Sequence, residues 1–183
     1  MVKPEWLGRY ESSQLSVVSG QVITQSWDTA IKAGAHNDPS VCITFAQSEG
    51  QHYVVDVLRE RLEYPQLRRK MIELAQKWNP QAVLVEDKAS GQSLLQDLRQ
   101  NTGLPLIACM PKLDKLTRFA AITPQIEAGR LLLPERASWL AEFEQELFSF
   151  PDSPHNDQVD ALSQYLNWLR ERERMGGMQV RRI

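Results

Sequence analysis

Three strand-like runs follow one another with no helix between them, and that order narrows the fold more than any other feature of the chain. Val22–Trp27, Val41–Ala46 (VCITFA) and Tyr53–Leu58 (YVVDVL) are rich in β-branched and aromatic residues. The second and third are joined by Gln47-Ser48-Glu49-Gly50, a short glycine-containing connection that suits a hairpin. Strands that succeed one another directly imply an antiparallel meander. After them the period changes. Tyr64–Trp78 sets Leu67, Met71, Leu74, Ala75 and Trp78 at helical spacing, with Pro65 in the first turn and Asn79-Pro80 as the stop. Ala82–Val85 and Leu104–Cys109 are continuous apolar runs, as expected of strands covered on both faces, with a helix over Ser90–Asn101 between them. A helix over Leu113–Ala128, kinked at Thr123-Pro124, then leads to a brief strand at Leu131–Leu133. Helices over Ala137–Phe148 and Asn156–Arg174 close the pattern. The order predicts an α/β fold: a mixed sheet of five to six strands, a meander with parallel additions, flanked by helices. A doubly wound nucleotide-binding sheet would alternate strand and helix from the start, and no G-x-G-x-x-G follows the first strand.

The 183 residues suffice for one domain. Residues 1–20 are polar and irregular apart from Trp6 and Tyr10 and read as a lead-in, residues 21–174 carry the patterned elements, and residues 175–183 read as a flexible basic tail. A net charge of −2 argues against a protein that coats nucleic acid through bulk charge and leaves room for a local basic groove. Cys42 and Cys109 sit far apart inside apolar runs and read as buried free thiols of a reducing compartment. No stretch is long and apolar enough for a membrane span, and the N-terminus lacks an apolar signal core.

Acidic residues mark where chemistry can sit. Asp28 ends the first strand, in S-W-D-T-A, and Glu86 and Asp87 follow the apolar run Ala82–Val85. If those two strands are parallel neighbours, about 4.8 Å apart, their carboxyl ends lie side by side and Asp28 and Glu86 can share a divalent ion. A single acid after a strand more often just begins a loop, whereas two on neighbouring strands favour a shared ion. Asp157 and Asp160, in H-N-D-Q-V-D-A, stand three apart on the opening turn of the last helix and project from one side of it. Capping by Asn156 or Asp157 and compensation of the helix dipole explain these residues as well as metal ligation does. On a helical wheel Val159, Leu162, Leu166 and Leu169 form one stripe, while Asp157 and Asp160 share a side with Ala161, Gln164 and Trp168. Carboxylate oxygens of this kind select Mg²⁺ or Mn²⁺, and the poverty of His and paired Cys argues against Zn²⁺. Two such ions about 3.5–4 Å apart activate water and stabilise the leaving oxygen of a phosphodiester.

Four motifs in their order, S-W-D-T-A, V-E-D-K-A-S-G at 85–91, the K-x-x-R of Lys115 and Arg118 before E-A-G-R-L-L-L-P, and H-N-D-Q-V-D-A, resemble one family. It is the C-terminal nuclease domain of the large terminase subunit of tailed bacteriophages and prophages, and the likeness spans roughly Val22 to Trp168. The resemblance implies a ribonuclease-H-like fold and a two-metal-ion endonuclease that cuts concatemeric double-stranded viral DNA during genome packaging in the bacterial host cytoplasm. It assigns metal binding and catalysis to Asp28, Glu86, Asp157 and Asp160, and a supporting place beside them to Asp87. Lys88, Lys112, Lys115 and Arg118 are then expected to contact DNA, although a solvated face explains such a stripe equally well. An ATPase motor, a portal protein and a small terminase subunit are the implied partners. No G-x-x-x-x-G-K-[ST] occurs, so these residues by themselves are expected to cut and not translocate. A Holliday-junction resolvase or ribonuclease H keeps the fold with another substrate, and a silent portal- or capsid-docking module keeps the acids as caps.

Overall fold

The computed structural model describes residues 2–15, 21–30, 38–87 and 89–179. Lys88, His36 and the basic residues 180–183 lie outside them.

The meander forms as the sequence predicts. β2 (Val22–Asp28), β3 (Ser40–Ser48) and β4 (Gln51–Glu60) pair antiparallel in succession. The β3–β4 turn is only Glu49-Gly50, both with positive φ (50° and 76°), as the tightest hairpin turn demands. One irregularity interrupts the ladder: Thr44 faces Asp56 but Phe45 faces Val54, leaving Val55 as an extra residue. This bulge resets the alternation, so that Val54 and Val57 both enter the same core although they are an odd number of residues apart. That is why YVVDVL alternates only in part.

α2 (Tyr64–Trp78) crosses to β5 (Ala82–Glu86), which adds parallel to β2. α3 (Ala89–Asn101) leads on to β6 (Leu106–Cys109), parallel to β5. β6 is shorter than expected and half-exposed at the sheet edge, not covered on both faces. α4 (Lys115–Glu127), with Pro124 inside it, returns the chain to β7 (Leu131–Pro134), parallel to β4. α5 (Leu140–Ser149) and α6 (Asp157–Gln179) complete the order, and α6 continues through Gly176-Gly177.

The sheet has seven strands, one more than the sequence suggests, in the order β1-β7-β4-β3-β2-β5-β6. The extra strand is β1 (Gly8–Tyr10), parallel to β7, within the segment read as irregular. A short helical turn at Ser12–Leu15 (α1) follows it. β1 was illegible because only three residues pair, and their side chains show no alternation. Tyr10 fastens it by donating its hydroxyl to the Val54 carbonyl at 2.7 Å. Among the described residues no helix is long and apolar enough to cross a membrane.

Two cores lie on opposite faces. α2 and α3 cover one with Leu67, Met71, Leu74, Leu94 and Leu98 around Trp27, Val83 and Val85. α4, α5 and α6 cover the other, around Ile43, Phe45, Leu84 and Leu133. α6 is buried almost all round between Gln158 and Leu166, so both sides of its helical wheel meet protein. Tyr165 stacks on Phe45, ring centroids 3.8 Å apart, and its hydroxyl meets His52 Nδ1 at 3.1 Å. His52, which reads from sequence as strand surface, is buried here.

Burial, with the Arg130 charge adding to it, pushes the His52 pKa from the ordinary 6.5 down to about 4. The unfolded chain therefore binds more protons between those values, and stability is complete above the unfolded pKa and falls as pH drops towards 4. The contribution reaches on the order of 3 kcal/mol. Denaturant unfolding between pH 7 and 4 is expected to show this loss, and His52→Gln to flatten it.

Candidate functional site

The register of the sheet places a row of side chains across its carboxyl edge. Val41 pairs with Arg59 and with Asp28, Trp27 pairs with Val85, and Glu86 pairs with Cys109. Asp28 and Glu86 are thus next in register on parallel neighbours. Their neighbours two residues back, Ser26 and Leu84, face α6, so Asp28 and Glu86 face it too. The expectation of side-by-side strand ends is met. The bulge in β4 brings Arg59, which the sequence did not single out, onto the same face.

α6 is laid over this row by polar bonds in an otherwise apolar interface. Ser26 Oγ donates to the Ala161 carbonyl at 2.8 Å, and Gln164 Nε2 donates to Ser26 Oγ at 2.9 Å and to the Trp27 carbonyl at 3.2 Å. Asn167 Nδ2 donates to the Arg118 carbonyl and Arg170 Nη1 to that of Ala121, each at 3.0 Å, which ties α4 to α6.

The start of α6 is capped from elsewhere. Glu146 of α5 is buried and accepts the backbone N–H groups of Gln158 (2.7 Å) and Val159 (3.1 Å), with Gln158 Nε2 donating to its other oxygen at 2.7 Å. Burial pushes the Glu146 carboxyl above the ordinary carboxylate range despite these bonds. Asn156 Oδ1 accepts no hydrogen bond among the described residues. Glu146 therefore takes over the capping that explained the acids of the first turn as well as ligation did.

Asp157 and Asp160 turn to different cations. Asp160 lies at the Glu86 end of the row: Arg118 Nη2 donates to its Oδ1 at 3.1 Å, Arg118 Nη1 stands 3.8 Å from Glu86 Oε1, and Lys115 Nζ meets Asp160 Oδ2. Glu86 and Asp160 are each 5% exposed at the side chain and Arg118 13%. Asp157 turns towards Arg59, 3.7 Å away, whose other nitrogen holds Glu142 at 2.5 Å. Burial raises the Asp157 carboxyl pKa, with Arg59, His155 and Lys115 opposing the shift. Lys112 is exposed, 4.0 Å from Glu171. The cations expected to form a DNA-facing stripe thus differ: Lys112 is open to solvent, Lys115 is half-exposed over Asp160, and Arg118 is turned inward. Asp87 extends the β5–β6 ladder by donating its N–H to the Cys109 carbonyl at 2.8 Å.

Beside Arg118 opens a cavity of about 310 Å³, lined among others by Cys109, Met110, Lys112, Trp168 and Glu171. Both cysteines are free, and burial, with Glu171 and Glu86 adding to it, pushes the Cys109 thiol up to about 12.

Among the described residues no three His, Cys, Asp or Glu side chains stand close enough to form a ready-made metal cage. The donor set nevertheless fits a hard divalent cation. Asp28 and Glu86 end neighbouring strands next in register at one sheet edge, and the buried pair, Glu86 and Asp160, meets in a protein cation, Arg118.

A family model described as the terminase RNaseH-like domain matches residues 25–169. The chain belongs to that family. Its span agrees with that of the four motifs, and the expected ribonuclease-H-like fold, a mixed sheet flanked by helices, is the one found. Among solved structures, the nuclease domain of the large terminase of bacteriophage SPP1 with bound manganese is 12% identical and covers 90% of this chain and 97% of its own, with a TM-score of 0.62. The large terminase nuclease of thermophilic phage G20c with bound zinc is 15% identical over 80% of this chain and 81% of its own, TM-score 0.63. A large terminase from another thermophilic bacteriophage, in complex with ADP, is 16% identical over 91% of this chain, TM-score 0.68. This chain covers 43% of that ADP-bound protein, less than half its length. None of the curated proteins matches the chain.

Gly91, within V-E-D-K-A-S-G, is a position whose role only the structure reveals. A Cβ there would stand 2.5 Å from the Glu86 carbonyl oxygen. Gly91→Ala is expected to push β5 and α3 apart, lowering stability by about 1–3 kcal/mol in thermal or urea unfolding. Glu146→Ala should cost about 1–3 kcal/mol by orphaning two buried N–H groups, and Glu146→Gln, which keeps an acceptor, should recover most of that in the same assay.

Proposed function

We propose that this chain is a divalent-cation-dependent endodeoxyribonuclease, the nuclease part of a terminase large subunit, which cuts concatemeric double-stranded viral DNA during genome packaging in the host cytoplasm. The observation that carries the reading is the placement of Asp28 beside Glu86 on parallel strands, with Asp160 facing Glu86 across one guanidinium. Relatives of the same fold bound to Mn, Mg, Co and Zn support it.

Asp28, Glu86 and Asp160 would hold Mg²⁺ or Mn²⁺, with Asp157 as the neighbouring carboxylate and Asp87 supporting the end of β5. A bound pair of such ions would supply an activated water and charge stabilisation for the leaving oxygen of an in-line displacement. The chain's own part is to hold the carboxylates in a largely buried edge, where their charges act through a low effective dielectric. Lys112 and Lys115, exposed and half-exposed at the mouth, meet phosphates, and Lys88 lies next to Glu86 in sequence. A few such contacts give weak, salt-sensitive, sequence-independent binding. The large terminase complexed with ADP, more than twice as long as this chain, supports an ATPase motor as partner. A portal protein and a small terminase subunit complete the proposed packaging assembly.

Purified protein is expected to nick supercoiled plasmid with Mn²⁺ or Mg²⁺ and not with EDTA. Asp28→Ala and Glu86→Ala should each lower the rate by about 100-fold or more. Full activity in either variant overturns the assignment. A folded wild type that stays inactive in excess metal favours the docking module instead.

A further inference from the structure

Glu86 and Asp160 belong to different elements, are nearly inaccessible, and both face the Arg118 guanidinium, while Lys115 Nζ also meets Asp160 from the half-exposed side. Two carboxylates buried together without compensation would repel each other and lose hydration, so a cation between them is a condition of this packing. Arg118 meets that condition loosely. Only the Asp160 prong is a hydrogen bond, the Glu86 prong stands 3.8 Å off, and the buried Nε has no hydrogen-bond partner among the described residues. The backbone of α4 is meanwhile fixed by the bonds from Asn167 and Arg170, so the side chain can move while the helix stays. The cavity of about 310 Å³ that Arg118 itself lines gives the guanidinium somewhere to go, with the Glu171 carboxylate on its wall.

We propose that Arg118 is the displaceable counter-ion of this site: its guanidinium occupies the space between Glu86 and Asp160 until a divalent cation takes that space, and then turns into the neighbouring cavity towards Glu171. Ion affinity is set by this competition, because the state able to bind is only part of the population while Arg118 bridges the acids. Arg118 acts here as a positioning residue, keeping Glu86 and Asp160 facing each other until the cation arrives. The inference rests on the divalent-cation reading above.

Calorimetric titration with Mn²⁺ alone, without nucleic acid, tests both and tells them apart. Arg118→Lys keeps the charge but loses the second prong, and it is expected to bind Mn²⁺ roughly tenfold more tightly than wild type. Arg118→Gln should shift affinity in the same direction and melt at a lower temperature before Mn²⁺ is added, as the charge shared by the two acids is then gone and Lys115 balances Asp160 from one side only. Arg118→Lys binding Mn²⁺ no more tightly than wild type overturns the displacement. A wild type and variants that all show no Mn²⁺ binding overturn the divalent-cation reading and the displacement with it.

Discussion

The site depends on how α6 is held against the sheet. An apolar interface alone would let a helix slide or roll by a residue, because dispersion and hydrophobic contacts are not directional. Ser26 and Gln164 remove that freedom. Their bonds to Ala161 and Trp27 are satisfied in one register, and in a buried setting a lost bond leaves a desolvated group behind. With that register fixed, Asp160 falls opposite Glu86 and Asp157 opposite Arg59. A one-residue slip of α6 would rotate both acids away from their partners by about 100°.

Electrostatics then decides what such an edge can tolerate. Three acidic side chains, Glu86, Asp157 and Asp160, lie against two inward-turned arginines and one half-exposed lysine, with Asp28 next in register to Glu86. The arrangement is one of compensated burial, and compensated burial is exchangeable: whatever cation balances the acids holds the geometry. Arg59 is also bound to Glu142 of α5, so the α5–α6 pair is tied to β4 at the same edge where the acids gather. α5 thus contributes twice, once through Glu142 and once through the Glu146 cap.

Much of this was legible in the sequence, and the exceptions have physical reasons. The meander and the switch to helical period follow from side-chain patterning, which burial enforces over many residues, whereas the parallel pairing of the first and fourth strand runs follows only once a sheet plan is assumed. Asp28, Glu86, Asp157 and Asp160 stand out because acids at strand ends and in a first helical turn are few. What the sequence hid involves a single residue acting at a distance. Glu146 reads as an ordinary acid on a helix, and only tertiary packing brings it to the start of α6. Arg59 reaches the site because of one extra residue in β4, which no periodicity announces. His52 is buried by Tyr165, a residue far along the chain, and strand alternation near a turn does not reveal such a contact. Arg118 was noticed as one of a run of cations, and the run itself says nothing about which member points inward.

The contact at Gly91 has a mechanical meaning. With the first turn of α3 seated on the carbonyl of Glu86, the end of β5 and the start of that helix behave as one lever. A macromolecule leaning on the outer surface of α3 would therefore tilt residue 86 through main-chain atoms, without touching any of the charged groups it sits among.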